Sequence, residues 1–321
     1  MTALFLREEE VKHLLSMELA LEAVEAAHAA HGHGRAIDIP RQRTRLPTSA
    51  LHILQGALSD VGVFGYKAYT TSREANRFLV HLFDAANGRL LAVIEADFLG
   101  MMRTGAAGGI AAKQLARPDA GTVGVFGAGW QARSQVEALC RVRPVRLVKV
   151  YSRNAARRQV FCDEMSQRLG GEFQPMDSAE ETVRGSDIVV TITTASTPLF
   201  DGAWVEEGCH INAAGSNSLI RREIDEATVR RVGLVCVDSR ATALAEAGDL
   251  QPSLEKGRLH ERQLVELGEL VAGVRPGRGS DADITLFESQ GMAIQDLAVA
   301  VRLLALARQH GLGAALPGGN D

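Results

Sequence analysis

The stretch VGVFGAGWQA, residues 123–132, is compatible with few folds. An apolar, β-rich run ends at Phe126, two glycines stand one residue apart, and Gln131 and Ala132 open a segment of helical periodicity. Gly127, Gly129 and Ala132 match the pattern G-x-G-x-x-G/A. In that pattern the first glycine makes a tight turn and the second lets the backbone approach a pyrophosphate. The small third residue lets the helix lie close to its strand, with its N-terminus facing the phosphates. A packing turn can show the same glycines, but the place of this one between a strand and a helix favours dinucleotide binding. Gly127, Gly129, Gln131 and Ala132 are the first candidate cofactor contacts.

From Thr122 onward the chain alternates strand and helix: TVGVF, WQARSQVEALCRV, VRLVKVYS, NAARRQVFCDEMSQRL, then DIVVTIT, CHINAAG and LVCVD as further strands. That order implies a Rossmann-type, doubly wound parallel sheet. The residues in front follow a different pattern. Ser16 can cap a helix ending at Gly32, and IDIPRQRTRLPT is too rich in proline to be helical throughout. ALHILQGAL, VGVFGYKAY, RFLVHLFD and RLLAVIEA then read as strands of an antiparallel sheet. This predicts an α/β chain with an N-terminal α+β module. The first domain is expected at residues 1–118, completed by the second half of the last helix at 302–321, and the dinucleotide-binding domain at 119–301. LREE near the start reads as a solvated cap.

Length supports two domains, because 321 residues exceed the size at which one core usually stops growing. A net charge of −4 carries no basic footprint for nucleic acid, and no apolar run approaches the roughly 18 residues of a membrane span. No export signal is legible, so a cytoplasmic protein is expected. Cys140, Cys162, Cys209 and Cys236 form no CxxC pattern and read as buried free thiols. His28, His31 and His33 lie at a helix end without a supporting cysteine, which favours surface histidines over a metal site.

About twenty residues beyond the glycine turn an NAD-binding chain places a carboxylate for the ribose. Here the strand ends VYSRN, with Ser152, Arg153 and Asn154, followed by Arg157 and Arg158. A guanidinium suits a 2′-phosphate where a carboxylate would repel it, so NADP(H) is favoured over NAD(H).

With GYKAY, RTGAA and SQGMAIQDLA also in place, the chain resembles the ornithine cyclodeaminase/μ-crystallin family over essentially its whole length. The resemblance implies a homodimer built through the first module and an active site in a cleft between modules. It also implies that Arg43, Lys67 and Arg103 bind the α-carboxylate of a small amino or imino acid. The residues themselves agree, since an arginine in a proline-bounded loop, one of only five lysines on an apolar strand and an arginine in a small-residue helix are poorly placed as surface charges. Arg41 is the alternative to Arg43 if the register differs by two, and a distant structural carboxylate is the alternative partner for any one cation. Ser289, Gly291 and Asp296 resemble the family's last motif, at the nicotinamide end. Thr193, Thr194 and Ser196 follow a strand on the edge where such sheets bind ligands.

The chain departs from ornithine-active members at Asn217, where they place an aspartate as the proposed acid/base, and SLIRREID does not match their PGK-x-EL. An amide cannot exchange protons near neutral pH. Asn217 is therefore either a turn residue or a group that orients an imine or its water, with Lys67 supplying the proton. Asp225 reads as a helix cap or solvated residue, and Ser216 lacks a nucleophile elbow. The activity expected is NAD(P)H-dependent reduction of a small cyclic imino acid, Δ1-pyrroline-2-carboxylate or Δ1-piperideine-2-carboxylate. The alternatives are ornithine cyclodeamination with bound NAD, alanine-type dehydrogenation, and a non-catalytic μ-crystallin-like ligand carrier.

Overall fold

The structure, a computed structural model, describes residues 2–317. The chain divides into two units, Met1–Arg103 with Met292–Asp321, and Thr104–Gly291.

The first unit is built on a seven-stranded sheet in the spatial order Ala314–Ala315, Leu4–Leu6, Leu90–Glu95, Arg77–Asp84, Val63–Ser72, Ser49–Leu58 and Ala36–Arg45. It is mixed rather than antiparallel, because Leu4–Leu6 runs parallel to Leu90–Glu95. The helix Met17–Gly32 begins as expected, with Ser16 Oγ accepting from Leu19 N at 3.2 Å. The helix Ala293–His310 packs on it and on the inner face of the sheet. Gly65 permits that approach, since a Cβ there would lie 2.9 Å from Leu297 Cδ2. The whole last helix thus belongs to the first unit, not only its second half.

IDIPRQRTR forms a strand, Ala36–Arg45, where the sequence suggested a loop. Its register against Ser49–Leu58 shifts between Ile39 and Gln42. Pro40 has no N–H for the ladder, and the extra residue makes a bulge. Side chains alternate across a strand, so one extra residue reverses which parity faces inward. Before the bulge Ile37 and Ile39 are exposed; after it Arg41 is buried and Gln42 is exposed. The bulge is what turns Arg41 and Arg43 inward.

The second unit is an all-parallel sheet of eight strands in the order Leu264–Glu266, Leu234–Val237, Thr285–Glu288, His210–Ala213, Ile188–Thr191, Thr122–Phe126, Leu147–Tyr151 and Glu172–Pro175. Counted from Glu172–Pro175, the first five strands follow the doubly wound order 3-2-1-4-5, with Thr122–Phe126 first in sequence. The strand Thr285–Glu288 enters late, between two strands formed earlier in the chain.

The helix Asp97–Leu115 belongs to the first unit through Arg103 and to the second from Thr104. This moves the boundary from the expected 118/119, because the small residues after Arg103 pack against the helix Trp130–Val142. A Cβ on Gly105 would collide with the Ser134 carbonyl. LREE is not merely a solvated cap either: Glu8 is half-buried, and its Oε1 accepts from Phe98 N at 2.7 Å. Asp225 does cap the helix Glu226–Arg231, accepting from Thr228 N at 2.6 Å. The four cysteines are free. Among the described residues no helix is long and apolar enough to cross a membrane.

Gly105→Ala is expected to lower the stability of the chain by about 2 kcal/mol through overpacking against Ser134. Urea denaturation checks this, and an unchanged midpoint would contradict the close approach.

Candidate active site

In the first unit, the inner face of the sheet changes from apolar to cationic at one end. Lys67, on Val63–Ser72, is 3% exposed, and its Nζ donates to Asp296 Oδ1 at 2.9 Å. Arg103 Nε lies 3.3 Å from the same oxygen, and its Nη1 donates to Gln295 Oε1 at 2.7 Å. Asp296 is fully buried, and its Oδ2 has no hydrogen-bond partner. Burial is the main cause that lowers Lys67 from the ordinary 10.5 to about 8. Asp296 opposes that shift, while the charges of Arg103 and Arg41 reinforce it. A buried ammonium needs an anion, and one carboxylate here serves two cations.

The next row of the same face is aromatic. Arg43 pairs across strands with His52, His52 with Tyr69, and Tyr69 with Phe78. The His52 and Tyr69 rings stack at 4.3 Å, and the Tyr69 and Phe78 rings at 5.0 Å. Lys67 Nζ lies 5.5 Å from the Phe78 ring centroid, and the Arg41 guanidinium 6.0 Å from that of Tyr69. Burial, then the charges of Arg43, Arg41 and Arg45, push His52 down to about 4, so it is neutral near pH 7. The structure therefore brings Lys67 and Arg103 together with Arg41; Arg43 lies further along the strand, half-buried against His52.

In the second unit, Gly127 has φ +119°, and a Cβ there would lie 2.5 Å from Ile192 O, so only glycine makes this turn without strain. A Cβ on Gly129 would meet nothing within 4 Å. Gly129 also caps the helix Trp130–Val142 without any side-chain bond, which leaves first-turn N–H groups for a ligand. Ala132 is fully buried, and Gln131 Oε1 has no hydrogen-bond partner. These features fit a dinucleotide pyrophosphate.

Beyond the next strand, Ser152 Oγ donates to Asn154 O at 3.0 Å, and Asn154 Oδ1 accepts from Arg157 N at 2.9 Å as the cap of the following helix. Arg158 is engaged by Asp177 and lies over Tyr151. Arg153 is exposed and forms no ion pair among the described residues.

A model of the ornithine cyclodeaminase/mu-crystallin family matches residues 1–308. The chain belongs to that family. It is 36% identical over 236 residues to the Δ1-pyrroline-2-carboxylate reductase of Bacillus cereus, covering 73% of this chain and 72% of the relative. The structure of the Thermococcus litoralis Δ1-pyrroline-2-carboxylate reductase in complex with NADH and L-proline matches with a TM-score of 0.93 and 35% identity, over 98% of this chain and 100% of that one. An archaeal alanine dehydrogenase dimer with bound NAD matches with a TM-score of 0.93 and 33% identity, over 99% of this chain and 100% of that one.

Several residues expected to face the cofactor in this family member have other partners. Asp296 is the counter-ion of Lys67 and Arg103, the distant structural carboxylate that the sequence left open. Asp238 Oδ2 accepts from Ser289 Oγ at 3.0 Å, and from Gln290 N and Gly291 N at 2.7 Å each, so these donors are not left for a carboxamide. Thr193 donates through both N and Oγ1 to Glu223, while Thr194 and Ser196 are exposed. Asn217 is half-buried, next to Ser216, whose hydroxyl donates to Ser218 O at 3.2 Å. His28, expected at the surface, is fully buried. Its Nε2 lies 3.1 Å from Gln295 Nε2; an amide N–H can only donate, so the ring accepts there and braces the glutamine that holds Arg103.

Asp296→Asn removes the anion that favours charged Lys67, so Lys67 is expected to titrate below about 8 and the chain to lose on the order of 3 kcal/mol. Lysine side-chain NMR titration and urea denaturation read the two effects, and no change in either would contradict the pairing. The sign for the parent follows from linkage. Lys67 binds its proton less tightly folded than unfolded, so its unfavourable contribution shrinks as pH rises from about 8 toward 10.5.

Proposed function

We propose that this chain reduces a small cyclic imino acid with a nicotinamide dinucleotide, Δ1-pyrroline-2-carboxylate being the leading substrate and Δ1-piperideine-2-carboxylate its six-membered counterpart. Lys67 carries the assignment: a buried ammonium that yields its proton near pH 8, beside Arg103 and Arg41, offers both an anion site and a proton source. The Bacillus cereus and Thermococcus litoralis relatives support the substrate class, since both are reductases of that imine.

Arg41, Lys67 and Arg103 bind the substrate carboxylate, Arg41 taking the part that the sequence assigned to Arg43. Lys67 gives a proton to the imine nitrogen, and solvent restores it. Asn217 orients that nitrogen or an associated water by hydrogen bonding. It exchanges no proton itself, which disfavours ornithine oxidation and ring closure. The turn at Gly127 and Gly129 holds the cofactor pyrophosphate, with Gln131 and Ala132 in the same first helical turn. A reduced nicotinamide bound there supplies hydride to the C=N carbon. Ser152, Arg153 and Asn154 shape the adenosine end, and Arg153 pairs with a 2′-phosphate, so NADP(H) is preferred over NAD(H).

The outer face of the first unit's sheet exposes Ile37, Ile39, Leu51 and Phe64. A second copy of the chain covers it in a homodimer. The dimeric state of the archaeal relative and the exposure of these four apolar side chains on one face support that assignment.

Purified protein is expected to consume NADPH with Δ1-pyrroline-2-carboxylate, faster than it consumes NADH, and to release no ammonia from ornithine with NAD. kcat/KM is expected to fall by about tenfold per pH unit above about 8, as free Lys67 loses the proton it donates. Ammonia from ornithine without imine reduction would overturn the assignment. Oxidation of alanine alone would favour a dehydrogenase, and ligand binding without turnover a carrier.

A further inference from the structure

The second unit contains a buried carboxylate that imine reduction, as derived above, does not use. Glu223 is fully buried. Its Oε1 accepts from Thr193 N and from Thr193 Oγ1, each at 2.6 Å, and its Oε2 accepts from Gly215 N at 2.8 Å. Thr193 follows the strand Ile188–Thr191 and Gly215 follows His210–Ala213, so one carboxylate ties the loops after the fourth and fifth strands of the doubly wound order. A Cβ on Gly215 would collide with both carboxylate oxygens, so a bare backbone N–H is what fits there. Glu223 is itself fixed: its N and Ile224 N donate to Asp249 Oδ1 at 2.6 and 2.8 Å, and its carbonyl accepts from Leu199 N at 2.8 Å.

In sheets of this kind ligands bind at the carboxyl ends of the strands, and these two loops lie there. Asn217 stands two residues beyond the tie at Gly215. We propose that Glu223 is a positioning residue: as a carboxylate it holds the loops of Thr193 and of Gly215 to Asn217 in the arrangement that takes the nicotinamide half of the cofactor, and it releases them when protonated. This rests on the assignment of the glycine turn to a dinucleotide.

A general structural role and a positioning role differ in their pH dependence. Burial, the largest cause, and the charge of Asp249 push Glu223 up to about 7, against the donors from Thr193. The groups facing it are the Thr191 hydroxyl, Asp249, and Glu288 at the end of Thr285–Glu288. Asp249 is in turn faced by Arg222, and Glu288 is pushed far up by its own burial. Because Glu223 binds its proton more tightly folded than unfolded, acidification through about 7 favours the folded chain. Protonation turns one oxygen into a hydroxyl, a weaker acceptor carrying a proton among three donors, so the tether weakens over the same range. Stability and tethering therefore move in opposite directions.

The test is NADH binding to the full chain, followed by fluorescence between about pH 6 and 8.5; NADH avoids the 2′-phosphate, which titrates near 6. The parent dissociation constant is expected to rise by up to about tenfold per pH unit below about 7, without a fall in melting temperature. Glu223→Gln, which replaces one acceptor with a donor, is expected to bind about tenfold more weakly at pH 8 and to lose the pH dependence, with faster amide exchange at Gly215. Parental affinity or a parental pH profile in Glu223→Gln overturns the proposal. If that variant does not fold, Thr193→Val removes one of the three donors and leaves the carboxylate. An affinity weakened about threefold then supports the proposal, and an unchanged affinity overturns it. Failure of the parent to bind NADH or NADPH overturns the reading of the turn, and this proposal with it.

Discussion

The contact between Lys67 and Asp296 sets the terms for the first unit. An ammonium buried on a sheet strand is tolerable only with an anion at hydrogen-bond distance, and the last helix brings one across 229 residues of sequence. That requirement ties the helix Ala293–His310 to the sheet at a chosen rotation. Asp296 faces Lys67 and Arg103, while Gln295, one residue earlier, receives Arg103 and donates to His28. The same pairing keeps Lys67 charged at neutral pH although burial works against it. Two further cations close by, Arg103 and Arg41, leave this end of the face suited to a carboxylate, while the unpaired Asp296 Oδ2 is open to an N–H donor.

The second unit meets a related constraint in the opposite sense. Parallel strands end with backbone N–H groups turning into loops, and buried N–H groups need acceptors. Here carboxylates serve: Asp238 accepts from Ser289, Gln290 and Gly291, Asp249 from Glu223 and Ile224, and Glu223 from Thr193 and Gly215. The glycine turn is the contrast, since Gly129 caps its helix with no side chain and the space above it is open. Acceptors are built in where loops must stay fixed, and donors are left over at a turn whose shape fits phosphates.

What could be read from the sequence was what depends on neighbours along the chain. Gly127, Gly129 and Ala132 stand out because a turn, a strand and a helix lie within ten residues of them, and Ser16 caps its helix for the same local reason. Arg41 was harder, because its inward direction depends on a bulge at Pro40 that exists only against the partner strand Ser49–Leu58. The roles of Asp296, Asp238 and Glu223 depend on groups brought together by folding, and no spacing signals them. His28 carried one usable sign: it falls on the same helical stripe as the buried Val24, four residues earlier, although a run of histidines suggested the surface. The late strand Thr285–Glu288 was missed because its place between two earlier strands is topological.

The central claim is that hydride reaches the C=N carbon of a cyclic imino acid held by Arg41, Lys67 and Arg103. Incubation of the protein with Δ1-pyrroline-2-carboxylate and a reduced cofactor deuterated at both C4 positions, followed by mass spectrometry and NMR of the product, tests it most directly. L-proline bearing one deuterium, located at Cα, is the expected product. Proline without deuterium, or no proline while the cofactor remains bound, would contradict it.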